Sequence, residues 1–388
     1  MRDSFDVIVV GKGMMGAAAA RHLALAGTKV LLIGPDEPTD RKSHSGVFAS
    51  HYDQGRISRR LDTNPVWANL ATRSMERYDE IAEQGGIEFF HKAGALLAGS
   101  DDYVARVAQT GNETGVAFQS LSPDELAQQF PCFTFPDGTS GLFEPGGGYV
   151  NPRSLVEAQT QAAGVAGATV IRKEVAKITE AADHVLVQAA DGATYRADKA
   201  IVAAGAFANT LLPKEIALNI NPRTVLFFEL DPSETARLTN MPSMIHEPHN
   251  DGNGPYLLPP IQYPDGKTYL KIGGDHSERY LQGSDEITNW FQKDGTENGL
   301  DYLVATLMGL MPGLRPVAIS TAPCVTTLTA EGYPVITSQS DRIIALTAGN
   351  GAAAKSSDEI GRLGAVLAMN GNLESEPYPD VFGTPKSD

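Results

Sequence analysis

Gly11, Gly13 and Gly16 fall within one short stretch, Gly11-Lys-Gly-Met-Met-Gly16, near the start of the chain. That spacing suits a dinucleotide. The first glycine permits a tight turn, the second lets a pyrophosphate approach the backbone, and the third lets a helix pack on the preceding strand. The unpaired N–H groups of the helix N-terminus then meet the phosphate charge. An acidic residue is expected after the second strand to hold the ribose hydroxyls. The chain there reads Gly34-Pro-Asp-Glu37, so Asp36 or Glu37 is expected to act from a displaced position. The motif alone does not separate NAD from FAD. Cys132 and Cys324 are too few for a disulfide framework. Lys271 stands between Leu270 and Ile272 in a strand pattern, so it is either edge-exposed or buried for a purpose.

These residues need elements to hold them. Residues 6–10 form a short continuous apolar run, as expected of a buried parallel strand. An Ala-rich helix to about residue 26 follows, stopped by Gly27, and residues 30–33 read as a second strand. Together they make a β-α-β unit. Residues 65–84 carry Trp67, Leu70, Met75, Tyr78 and Ile81 at helical spacing, and Ser122-Pro-Asp-Glu125 has the form of a capped helix start. Strand patterns at 93–98, 225–230, 256–258 and 268–272 arrive without alternating helices, which predicts a mostly antiparallel sheet. Residues 197–205 and 342–349 repeat a strand running into small residues, where a backbone can approach a ligand closely. The expected class is therefore α/β (α+β overall). A Rossmann-type dinucleotide-binding domain, made of residues 1–82, 149–212 and 321–388, is interrupted by a second domain at 83–148 and 213–320.

With 31 basic and 47 acidic residues, the formal charge of −16 disfavours nucleic acid and anionic membrane as partners. No apolar run reaches the roughly 20 residues of a membrane span. The sparse cysteines and the early first strand give a cytoplasmic protein as the expectation.

Taken together, the segments Phe5-Asp-Val-Ile-Val-Val-Gly11, Arg56-Ile-Ser-Arg59, Ala203-Ala-Gly205, Leu270-Lys-Ile-Gly273, Pro323-Cys-Val-Thr-Thr327, Ala348-Gly349 and Lys355-Ser-Ser357 resemble the glycine/D-amino-acid oxidase (DAO) superfamily. Their order and spacing are similar to its branch of monomeric sarcosine oxidase and N-methyltryptophan oxidase. The resemblance implies FAD, bound by Gly11, Gly13, Met14, Met15, Gly16, Asp36, Ser50, His51, Arg56, Val175, Ala204, Gly205, Cys324, Gly349, Gly351 and Lys355. It implies that Cys324 links covalently to the flavin, that Lys271 promotes the reaction with dioxygen, and that Arg59 and Lys355 clamp the substrate carboxylate. Arg60 stands as an alternative to Arg59, and Tyr256 as an aromatic wall of the pocket. The implied substrate is a small secondary or N-methylated amino acid, oxidised with release of hydrogen peroxide by a monomer or small homo-oligomer.

Three departures concern the substrate cavity. Asp275, with His276 beside it, falls where the family has a histidine; Thr326 replaces a tyrosine; and Gly351-Ala-Ala-Ala354 shortens a glycine-histidine-glycine stretch. They imply a substrate other than sarcosine, larger or carrying a cation that Asp275 could pair. Two alternatives stay open: a dehydrogenase passing electrons to a protein or quinone, and a non-catalytic flavin-binding subunit.

Overall fold

The computed structural model describes residues 4–248, 254–274, 279–296 and 300–383. Asp275 and His276 lie outside the described residues.

The opening unit forms as its pattern predicts. Strand β1 (Ser4–Val10) and strand β2 (Val30–Ile33) pair in parallel, joined by helix α1 (Met14–Leu25). Val30, Leu31, Leu32 and Ile33 are all buried, the signature of a strand covered on both faces. Gly27 adopts φ +81° just past the end of α1, the left-handed geometry that stops a helix. The sheet around this unit draws on distant chain. Thr194–Val202 lies parallel to β1, Thr169–Ile171 parallel to β2, and Ile343–Thr347 parallel to Thr194–Val202. The strands Val175–Glu180, Val185–Ala189 and Val335–Ser338 complete it in antiparallel fashion.

The second sheet also has eight strands, and its one parallel pair joins Ala95–Gly99 to Ser243–Glu247. Every other neighbouring pair among the described residues is antiparallel, as the absence of alternating helices predicts. Its longest pair aligns Asn219–Leu230 with Ala318–Leu328, so the strand bearing Cys324 runs across the expected boundary at 320/321 and belongs to this sheet. Side chains alternate across the strand Thr268–Gly273. Leu270 and Ile272 enter a core with Phe228, Leu257, Leu303 and Leu307, which sends Lys271 to the opposite face.

A small third sheet positions the arginines: Arg56–Ser58 pairs with Gly148–Val150, which also pairs with Phe90–His91. Residues 65–84 form two helices rather than one, Pro65–Met75 and Tyr78–Gly85. Between them Arg77 reaches inward to Asp358 at 2.5 Å and Glu359 at 2.6 Å. Asn64 caps the first of these helices through Val66 and Trp67, and Ser122 and Glu125 form the reciprocal capping box. Finally, the C-terminal helix Ala353–Asn370 lies against α1 so closely that a Cβ on Gly361 would come 2.5 Å from that of Ala18.

Candidate active site

A long cleft runs from the turn after β1 to the strand bearing Cys324. Its walls include Gly11, Gly13, Met14, Met15, Ser50, His51, Arg56, Val175, Ala204, Gly205, Cys324, Gly349 and Gly351. Gly11 has φ +109°, and a Cβ there would meet Ala203 O at 2.3 Å, so the turn requires glycine. A Cβ on Gly16 would sit 1.9 Å from Gly11 O, which is why that residue packs the helix and is absent from the cleft wall. Over Gly13, by contrast, the nearest group is His51 Nδ1 at 3.9 Å, so the first turn of α1 faces open space. No side chain caps this helix and no acid stands in its first turn, leaving its N–H groups for a ligand.

At the far end of the sheet, Ala348 and Asn350 both take positive φ, 60° and 46°. A non-glycine residue there costs about 1–2 kcal/mol. The loop is fastened regardless: Asn350 N–H donates to Thr327 O, and its side chain bridges Thr329 N–H and Ala348 O. Strain of this kind, held by surrounding bonds on a ligand-sized cleft, marks a functional loop.

The expected ribose ligand needs correction. Neither Asp36 nor Glu37 lines the cleft; Lys12, Gly34 and Pro35 do. Asp36 pairs with Lys12 at 2.8 Å and Arg172 at 2.6 Å, while Glu37 takes both nitrogens of Arg153 at 2.6 Å. The cause is local: a Cβ on Gly34 would stand 2.5 Å from Lys12 N, so the backbone of Lys12 occupies the room an acidic side chain would need. His51, desolvated and facing Lys12, Arg153 and Arg56, is pushed down to about 3 and stays neutral at physiological pH.

Around Cys324 the partners converge from several elements. Arg56 Nη2 lies 3.4 Å from Cys324 Sγ and donates to Ser50 O at 3.1 Å. Ser50 Oγ donates to Val325 O, and Trp290 Nε1 to Cys324 O, both at 2.8 Å. Cys132, with no such setting, packs beside the core of the second sheet, and burial raises it to about 11.

Two cation pairs stand beside the cleft, and each closes on one aspartate. Lys271, 1% exposed, donates to Asp53 Oδ2 and to Gly55 O, both at 2.6 Å. Arg56 Nη1 contacts the same Asp53 oxygen, and Tyr263 donates to Oδ1 at 2.7 Å. Burial, then Arg56, press the Lys271 ammonium toward losing its proton and Cys324 opposes them, while the Asp53 carboxylate is its ion-pair partner. In the second group, Lys355 Nζ reaches Asp62 Oδ2 at 2.6 Å and Arg59 Nη1 reaches it at 3.1 Å. Burial and Arg59 push Lys355 down to about 8, resisted by Asp62 and Glu144. Asp62 is itself held far below the usual carboxylate range, because Lys355 and Arg59 outweigh its desolvation.

The remaining expectations divide. Arg59 and Lys355 do come together, although neither lines the cleft itself; Ala354, next to Lys355, does. Tyr256 is not on that wall either. Its ring lies over Gly273, where a Cβ would clash at 2.4 Å, with Lys271 Nζ 5.7 Å from its centroid. Arg60 is no substitute for Arg59, since its backbone and guanidinium are held by Glu144, a buried acid whose Oε2 also takes Leu61 N–H. Sequence reasoning missed Asp53, Asp62, Lys12 and Glu144. A signal existed for two of them: Asp53 stands three residues before Arg56, and Asp62 three after Arg59.

Among the described residues no cluster of potential metal ligands is found, and no helix is long and apolar enough to cross a membrane. A glycine cradle, a capless helix start and a long cleft ending at a thiol suit FAD. Comparison with known proteins agrees. Monomeric sarcosine oxidase of Bacillus sp. (strain B-0618) is 30% identical over 97% of this chain and 95% of its own length. The N-methyl-L-tryptophan oxidase of Yersinia pestis (strain Pestoides F) is 24% identical, with 94% and 95% covered. Among solved structures, NikD, an unusual amino acid oxidase essential for nikkomycin biosynthesis, shares the fold at a TM-score of 0.75 and 22% identity, with 99% and 98% covered. The family model for DAO, FAD dependent oxidoreductase, matches residues 6–367, and the chain belongs to that family of FAD-dependent oxidoreductases.

Proposed function

We infer that this protein oxidises a secondary or N-methylated amino acid, and the observation that carries the reading is the convergence of Arg59 and Lys355 on a single carboxylate oxygen beside the cleft. Two cations aimed at one point form a receptor for a carboxylate, Arg as a fork and Lys as a point charge. Bound along the cleft, FAD would supply the redox chemistry, accepting a hydride from the carbon next to the amine nitrogen and returning two electrons to dioxygen as hydrogen peroxide, while the imine would hydrolyse in water.

The chain's own residues orient and charge the site. Arg59 and Lys355 hold the substrate by its carboxylate. Lys271 supplies a fixed cation against the negative charge that develops when dioxygen is reduced. Arg56 donates to Cys324 Sγ, the atom that would carry a thioether to the flavin. Lys12 and the first turn of α1 face the phosphate–ribose end. Hydride transfer from an amine bound in its neutral form requires no side-chain base. The names of the sarcosine and N-methyltryptophan oxidases support an amino-acid substrate and dioxygen as acceptor. The division of the nucleotide-binding domain into three segments, with its last boundary moved beyond Leu328, and a cytoplasmic location belong to the same proposal.

The test is the visible spectrum of the purified protein, recorded without air while N-methyl, cyclic and primary amino acids are added. Bleaching of the flavin band by one class, with rapid return of colour in air, is the expected result. A yellow protein that no amino acid bleaches would remove the reading. Slow colour return despite bleaching would favour the dehydrogenase.

A further inference from the structure

Asp62 is an unexpected presence at a carboxylate receptor, because its own carboxylate already sits where the two cations meet. It is no stray side chain. Its Oδ1 accepts the Asn64 N–H at 3.1 Å, a turn leading into the helix Pro65–Met75, while Oδ2 takes Arg59 and Lys355. It is 9% exposed, and the preceding backbone is pinned by Glu144 through Arg60 N and Leu61 N. Asp62 uses Nη1 of Arg59 and one proton of Lys355, so the guanidinium's Nε and Nη2 and two ammonium protons remain as donors. The three charged groups sum to +1 while Lys355 keeps its proton.

We propose that Asp62 is a positioning residue of the carboxylate receptor: it is a built-in counter-ion that aims Arg59 and Lys355 at one point and keeps the lysine charged, and the substrate carboxylate binds beside it rather than in its place. The proposal rests on the clamp reading above. The groups facing Lys355 are Arg59 and Asp62 from the segment after the third sheet's first strand, Glu144 from the second sheet, and the Tyr78 hydroxyl on the Lys355 carbonyl; Tyr103 faces Arg59 and Asp62. Of the carboxylates, Asp62 is the one in contact with the ammonium. Burial and Arg59 both favour neutral Lys355, so without Asp62 the receptor loses a charge at a pH where it now holds it. In the intact protein Lys355 gives up its proton near pH 8, so carboxylate binding is strong below that pH and falls as pH rises through it.

Isothermal titration of the flavin-loaded protein with sodium acetate, against acetamide as a neutral control, tests this between pH 6 and 9. For Asp62→Asn the expected result is about threefold weaker acetate binding at pH 7.5, with the alkaline limb moved down by about one unit and affinity regained toward pH 6. Asp62→Glu restores the intact limb, and also serves if the asparagine variant folds poorly. Tighter acetate binding by Asp62→Asn at every pH would make Asp62 a competitor of the substrate and overturn the proposal. An unchanged affinity and limb would overturn it equally. If the intact protein binds acetate no better than acetamide, it is the clamp reading itself that fails.

Discussion

The two aspartate-centred groups are built from the same parts and differ in what they leave over. Asp53 with Arg56 and Lys271, and Asp62 with Arg59 and Lys355, each place an arginine and a lysine on one Oδ2 atom. In the first group the lysine has a second acceptor, Gly55 O, and the other carboxylate oxygen is taken by Tyr263. In the second the carboxylate's other oxygen meets a backbone N–H, and both cations retain donors. With a single Lys271 proton to spare, the first is the more closed network and the second the more open one. A closed network fixes a charge in place, which suits a small uncharged reactant such as dioxygen. An open one can accept a further anion. On the proposed reading, the same chemistry at two points beside the cleft serves two tasks according to the number of remaining donors, not residue type.

The largest effect should come from breaking the closed group at its lysine. Lys271→Met should slow reaction of the reduced enzyme with dioxygen by about 100- to 1000-fold, comparable to losing one preorganised electrostatic donor, with carboxylate affinity nearly unchanged. Stopped-flow mixing of bleached enzyme with aerated buffer checks it. Breaking the open group at Lys355→Met should act on the other half-reaction. It removes one partner of a buried charge group, worth about 2 kcal/mol or more, so the KM for the amino acid should rise about 30-fold or more. Steady-state kinetics with excess dioxygen reads it, and an equal loss in the oxygen reaction would erase the distinction between the groups. The smallest change sharpens the comparison: Tyr263→Phe removes one hydrogen bond from Asp53, worth about 0.5–1.5 kcal/mol. It should slow the oxygen step by at most about tenfold and leave amino-acid KM alone, in the same two assays.

How much of this could be read from the chain follows from the range of the interactions. The β1–α1–β2 unit, Gly27 and the Ser122 cap are local patterns, and all form where the sequence places them. Alternation about Lys271 left its exposure open, and only pairing within the sheet decides that it is buried. The basic residues were visible through family resemblance, but their counter-ions were not, because Lys271 and Asp53 are 218 positions apart, and Lys355 and Asp62 293. The ribose end misled for the opposite reason. A displaced acid looked sufficient in one dimension, whereas Lys12 had already claimed both the space at Gly34 and the charge of Asp36.

The close seating of Gly361 against α1 has a consequence for how such an enzyme can diversify. The C-terminal helix bears Lys355 in its first turn, and Gly361 touches Ala18, Ala19 and Met15 on the helix whose start forms the phosphate cradle. Cofactor grip and substrate grip are thereby two ends of one rigid coupling. A bulkier residue at that seam would disturb both at once, so change there is closed to gradual adaptation. On the proposed reading, change in substrate would come more readily from the opposite side, at positions around Arg59 and Asp62 that lie away from this seam.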